Sequence, residues 1–145
     1  MTPFRATALA CGVAVVALYG FAASLQARTV RNDPGGVVSD RLIYVVGNWY
    51  EEVRVVGFCA SACTLYIGMP NACTTRQAHW LFHGASGSSY ERNTAWNETV
   101  ARMYPEPLRT AFLTDYRYRE TAIRGAELIR LGVIRDCDIL KKEKV

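Results

Sequence analysis

Residues 53–83, VRVVGFCASACTLYIGMPNACTTRQAHWLFH, decide how this chain is read. The β-branched run Val53-Arg54-Val55-Val56 predicts a strand, Gly57 is expected to break it, and Ala62 to Met69 predicts a helix. Ser61 then falls at a strand-to-helix turn. A serine at such a turn presents its hydroxyl above the sheet, beside the unpaired N–H groups of the helix's first turn, which are suited to holding an oxyanion. A second apolar run, Trp80-Leu81-Phe82, ends in His83 and Gly84. If both runs lie in one parallel sheet, Ser61 and His83 leave it at the same edge. A serine in a first helical turn is commonly only a cap. Its pairing with His83 is what points to a nucleophile and its general base.

Ahead of this stretch, residues 1–27 carry Arg5, an apolar run from Ala8 to Ala23, and then small and polar residues. That layout predicts a signal peptide cleaved after Ala27 or Ser24 and export to the periplasm or beyond; an uncleaved membrane anchor is the alternative. Residues 28–145 are then expected to form a single domain. Five cysteines occur in the chain. With Cys11 in the leader, Cys59, Cys63, Cys73 and Cys137 remain, an even set that suggests two disulfides in an oxidising compartment, with three connectivities open. Their spacing matches no zinc ribbon, and no metal or organic cofactor is implied. The formal charge is +4, but the basic residues are scattered rather than striped, which argues against a nucleic-acid partner.

Taken in order, Thr29-Val30-Arg31 predicts a short strand running into the turn Asn32-Asp33-Pro34-Gly35-Gly36. Apolar residues at 38, 42, 45, 46 and 49 predict a helix between Val37 and Tyr50. The β-turn-α-β-turn-α-β order to His83 implies an α/β domain with a small, mostly parallel sheet and crossover connections. No phosphate-loop or dinucleotide fingerprint is present, so the Gly35-Gly36 turn is read as a source of backbone N–H groups. Residues 84–89 are small and polar and predict a mobile loop. Helices are expected over 94–103, 108–118 and 120–131, the last closed by Gly132. Val133-Ile134 predicts a final strand, and the KKEK tail a solvated end.

With these turns placed, the chain resembles the proteolytic subunit of Clp protease and its relatives of the Clp/crotonase fold. Asp33-Pro34-Gly35-Gly36 before a helix is similar to that family's S-P-G-G turn, Ala60-Ser61-Ala62 to its nucleophile motif, and Phe82-His83 to its I-H histidine. The ending Ala126 to Ile134 is similar to its E-A-x-x-x-G-L-V-D close, and the C-x-S-A-C-T core resembles exported Clp-protease-like proteins of bacteria. The resemblance covers roughly residues 29–137. It implies Ser61 as nucleophile, His83 as general base, an oxyanion site at the N–H groups of Gly36 and Ala62, and Glu120 as the third member, with Asp115 as its competitor. It also implies the pairings Cys73–Cys137 and Cys59–Cys63. The family's first strand has no counterpart, and the segment between His83 and Glu120 is shortened where relatives form an inter-subunit helix.

The expectation is thus a serine hydrolase acting on peptide or ester bonds. The partners to expect are the substrate itself and a second copy or other protein. Two other classes compete: a non-catalytic binding or assembly module on the same fold, and a membrane-anchored subunit of a larger complex.

Overall fold

A computed structural model describes residues 27–142. The expected signal peptide or anchor and Cys11 lie outside the described residues, apart from Ala27, as does the end of the predicted solvated tail. Among the described residues no helix is long and apolar enough to cross a membrane.

The domain is α/β and is built around β2, Val53–Ala60. One edge of β2 pairs in parallel with β1, Arg28–Asp33, and the crossover between them is α1, Val38–Gly47. The other edge is shared. β3, Ala72–Thr74, pairs with the first half of β2, and β4, His79–Phe82, with the second half, both in parallel. From this fork β3 continues to β6, Arg135–Asp136, in parallel, while β4 pairs antiparallel with β5, Thr121–Arg124. The expected mostly parallel sheet is therefore present.

Gly57 lies at the fork. The expectation that it ends the strand is corrected: β2 runs through it to Ala60. Val30 faces Val55 and Asn32 faces Phe58, so Val56 and Gly57 together oppose Arg31 alone, a bulge in β2. On the far edge Thr74 faces Val55 and His79 faces Phe58, so residues 75–78 oppose the same two positions. Glycine is required there because a Cβ on residue 57 would stand 2.0 Å from the Arg31 carbonyl oxygen. The gap on the far edge is closed by side chains. Trp80 Nε1 donates to Thr74 Oγ1 at 3.0 Å, and Thr74 Oγ1 donates to the Val55 carbonyl at 3.1 Å.

Ser61 to Gly68 is a 3-10 helix rather than an α-helix, and residues 62–67 are all buried. Its sequence is apolar all round, as a helix enclosed on every side must be. The core around it joins Val45 of α1 and Val53 and Val55 of β2 to an aromatic cluster of Trp80, Phe82, Tyr104 and Phe112. Phe82 meets Tyr104 edge-on at 5.7 Å, and Tyr104 meets Phe112 edge-on at 5.1 Å.

Downstream, α2 spans Tyr90–Met103 and starts earlier than expected, because Ser89 Oγ accepts the Arg92 N–H at 3.3 Å as a cap. α3, Leu108–Ala111, continues as a wider π turn through Tyr116. The predicted helix over 120–131 divides in two: Thr121–Arg124 is β5, and only Gly125–Arg130 is helical, as α4. Two tertiary constraints override helical periodicity here. β4 needs a partner on its open edge, and Gly125 passes so close to Thr75 that a Cβ would lie 2.0 Å from its carbonyl. The helix stop at Gly132 is as expected: with φ +71, its N–H reaches the Ile129 carbonyl and that of Val133 reaches Leu128, a Schellman close. The last strand lies at Arg135–Asp136, beyond the expected Val133-Ile134, whose side chains instead fill the core.

The four cysteines are joined as Cys59–Cys63 and Cys73–Cys137, with Cα separations of 5.4 and 5.0 Å. This is the pairing the resemblance implies. The second bridge fastens β3 to the start of α5, Cys137–Lys142, and so closes the chain's end onto the sheet. Neither pair offers thiolate to a metal.

Gly57→Ala is expected to force β1 off β2 and to destabilise the domain by about 3 kcal/mol or more. Equilibrium urea unfolding of the oxidised protein measures this; a loss below about 1 kcal/mol would show that the bulge can relax around a methyl group.

Candidate active site

The C-terminal ends of β1, β2 and β4 converge on one sheet edge. Ala60 pairs with Leu81 in the parallel ladder, so Ser61 and His83 leave adjacent strands together. On the other side of β2, Asp33 pairs with Cys59, which delivers Gly35 and Gly36 to the same edge.

Ser61 has φ +54, while Ala60 before it is extended. Among the described non-glycine residues it alone occupies the left-handed region, a conformation that costs an L-residue about 1–2 kcal/mol. Sharp strand-to-helix turns of this kind hold a nucleophile's oxygen clear of its own backbone. Three features keep the turn in place. The Cys59–Cys63 disulfide spans it, with Ser61 midway between the two cysteines. Thr64 Oγ1 donates to the Ser61 carbonyl at 2.6 Å, and since that spends its single proton, the buried Tyr104 hydroxyl donates in turn to Thr64 at 2.6 Å. Burial holds the Tyr104 phenol far above its ordinary pKa, so it remains a donor. Finally, Gly35 packs against the turn so closely that a Cβ there would lie 2.6 Å from Ser61 Cβ and 2.7 Å from the Ala60 carbonyl.

The glycine turn is braced separately. Asp33 Oδ1 accepts the Gly35 N–H at 2.9 Å, and the half-buried Asp33 carboxylate pairs with Arg41 of α1 at 2.8 Å. Arg41 also donates to the Gly35 carbonyl at 3.2 Å and to the Tyr66 hydroxyl. Gly35 and Gly36, at φ +105 and +115, hold conformations open to glycine. Gly36 lines the same groove as Ser61, and Ala62 sits in the first turn of the 3-10 helix, where N–H groups lack intrahelical partners.

His83 is half-buried, and its Nδ1 lies 2.8 Å from the Gly84 carbonyl oxygen. A carbonyl can only accept, so this contact places the neutral ring's proton on Nδ1 and leaves Nε2 as the basic nitrogen. The loop after the ring is pinned by Asn97, a buried residue of α2 whose Oδ1 accepts the Ala85 N–H at 2.6 Å. Gly84 itself is overlaid by the Arg117 backbone, with room for no side chain.

Among the described residues neither candidate acid is hydrogen-bonded to the imidazole. Glu120 is exposed, next to Thr121, which pairs with Phe82; this sets it beside the end of β4 that carries His83. No hydrogen bond joins it to His83 among the described residues. Asp115 is gripped by both nitrogens of the Arg119 fork at 2.7 and 2.6 Å, and those hydrogen bonds hold its carboxyl below the usual range.

Above Ser61 and His83 lies a groove of about 370 Å³ with Gly36, Val37 and Ser39 on one wall and Arg92, Asn93 and Trp96 of α2 on the other. Beneath them a cavity of about 20 Å³, lined by Leu65, Val100 and Phe112, is too small for a substrate side chain. A larger cavity of about 930 Å³ includes neither Ser61 nor His83. Of the three, the outer groove is the one that both borders Ser61 and His83 and has room for a ligand.

No protein-family model matches the chain, and no curated protein matches it.

The sequence brings forward Ser61, His83 and the glycine turn, but not the residues that position them. Thr64, three residues after Ser61, fits a known side-chain to backbone spacing. Tyr104, Asn97 and Arg41 reach the site only through tertiary packing, which no local pattern encodes.

The left-handed backbone of Ser61 generates a stability prediction. Ser61→Gly removes about 1–2 kcal/mol of strain and adds about 0.5–1 kcal/mol of chain entropy loss, so it is expected to stabilise the domain by roughly 1 kcal/mol. Ser61→Ala keeps the strain and gains nothing. Chemical unfolding of the two oxidised variants side by side measures the difference; equal stabilities would mean that the turn is unstrained.

Proposed function

We propose that the protein is an exported serine hydrolase of peptide or ester bonds, built on a Clp/crotonase-like fold. The single observation that carries this reading is the strained turn at Ser61, held at the sheet edge in a groove shared with His83 and Gly36. Strain of this size, braced from three sides, is characteristic of functional positions. Export is supported by two disulfides, which fit an oxidising compartment.

In the reaction His83 Nε2 takes the Ser61 hydroxyl proton as Oγ attacks the substrate carbonyl. The N–H groups of Gly36 and Ala62 receive the oxyanion, and the imidazolium then gives its proton to the leaving group. Water, deprotonated by the same imidazole, releases the acyl group and restores the serine. The chemistry needs no cofactor.

A carbonyl rather than a carboxylate at Nδ1 favours a second reading, a binding module that retains the elbow without turnover. Fluorophosphonate labelling of the oxidised protein separates the two. Labelling lost in both Ser61→Ala and His83→Ala supports the hydrolase; an unlabelled, folded wild type supports the module.

Because Gly84 already occupies Nδ1, Glu120→Gln and Asp115→Asn are each expected to slow labelling by less than about tenfold, against the ~10⁴-fold cost of disabling a working triad acid. A loss of the larger size in one variant would identify that residue as the third member after all.

A further inference from the structure

The groove above Ser61 is lined by one charged side chain, Arg92 in the first turn of α2, together with the His83 imidazole. No carboxylate lines it. Six other arginines, at positions 28, 41, 54, 76, 119 and 130, are each paired with an acid. The Arg92 guanidinium is exposed and makes no ion pair or side-chain hydrogen bond among the described residues; only its backbone N–H is engaged, by the Ser89 cap. Trp96 stands one helical turn further along the same wall, and Val37 faces it with 63% of its surface exposed. The groove thus sets the apolar side chains of Val37, Val38 and Trp96 among small polar ones, with one unneutralised, always-charged fork suited to bidentate contact with a carboxylate. Its volume of about 370 Å³ suits a short chain segment.

We propose that the groove selects peptide segments bearing a carboxylate beside an apolar residue, with Arg92 receiving the carboxylate and Trp96 and Val37 the apolar side chain. The carboxylate comes either from an Asp or Glu side chain or from a free peptide C-terminus. This inference rests on the hydrolase reading for the position of the scissile bond next to Ser61. The recognition itself is an equilibrium property that needs no turnover. Added salt weakens it, since Arg92 is solvent-accessible.

The test is calorimetric titration of the oxidised Ser61→Ala protein with four acetylated tetrapeptides: tetra-alanine as the free acid, tetra-alanine amide, and the amides with Asp or Lys at the third position. At least one carboxylate-bearing peptide is expected to bind about tenfold or more tightly than the neutral amide, with the Lys peptide weakest. A gain for the free acid alone identifies the C-terminus as the source, and a gain for the Asp amide alone identifies the side chain. Arg92→Gln is expected to bring acid and amide to equal affinity, and Arg92→Glu to turn the preference toward the Lys peptide. Equal binding of all four peptides, no binding of any, or an acid preference that survives Arg92→Gln overturns the proposal. Phosphonate labelling of the wild type reports separately on the nucleophile, so a labelled protein without acid preference loses this inference and keeps the hydrolase reading. An unlabelled protein with the preference does the reverse.

Discussion

The backbone of Ser61 is held where an L-residue is disfavoured, and much of the structure can be understood as what keeps it there. Left to local propensity, Ala60-Ser61-Ala62 would relax into an extended or right-handed path. It does not, because both ends of the turn are tied. Cys59, next to last in β2, is bonded to Cys63 in the buried helix, and the Tyr104 and Thr64 hydroxyls form a chain of hydrogen bonds that ends on the Ser61 carbonyl. Gly35 then fills the space against the turn's outer side with backbone alone. The strain is small beside the burial of the adjoining 3-10 helix, whose side chains from Ala62 to Ile67 all lie in the core. A domain that loses that helix loses its core, so the elbow cannot relax without unfolding much else.

The second constraint is the bend at Gly57, which decides what stands beside the elbow. Because the strand opposite β2 slips by two residues between β3 and β4, the alternation of side chains across the sheet is conserved: Trp80 and Phe82 still point into the core. A slip of one would have turned them outward and carried His83 to the wrong face. The same bend splits the sheet, sending β3 toward β6 and the Cys73–Cys137 bridge, and β4 toward β5. Catalytic candidates and the end-closing disulfide thus sit on different branches, and both depend on one glycine.

Much of this was legible in the sequence where local signals and burial agree. β-branched runs marked β2, an apolar run ending in histidine marked β4, and helical spacing marked α1. The even set Cys59, Cys63, Cys73 and Cys137 announced two bridges. Legibility failed where tertiary demands beat local preference. Thr121 to Arg124 reads as helix by periodicity with Gly125 to Leu131, yet the open edge of β4 draws it into a strand. Gly57 reads as a breaker because a sequence does not reveal that another backbone passes within reach of its missing side chain. At the site, Ser61, His83 and the Gly35-Gly36 turn were visible because turn chemistry is local. Their supports, Tyr104 to Thr64 and Asn97 to Ala85, span long stretches of chain and carry no local mark.

The environment of His83 sets what such a site can achieve. A carboxylate at Nδ1 does two things for a catalytic imidazole: it fixes the tautomer and it lowers the energy of the imidazolium formed as the serine attacks. The Gly84 carbonyl, at 2.8 Å, does the first fully and the second only through its dipole. Orientation is further secured by Asn97, which anchors the backbone just beyond the ring, and by the Arg117 chain lying over Gly84. Across the groove, Asp33 and Arg41 fix the Gly35-Gly36 turn in the same way, through hydrogen bonds that leave its backbone little freedom to reorganise. A site so arranged spends its order on positioning more than on charge. That order depends on the oxidised state of the chain, because the Cys59–Cys63 bridge is one of the braces that hold the Ser61 turn.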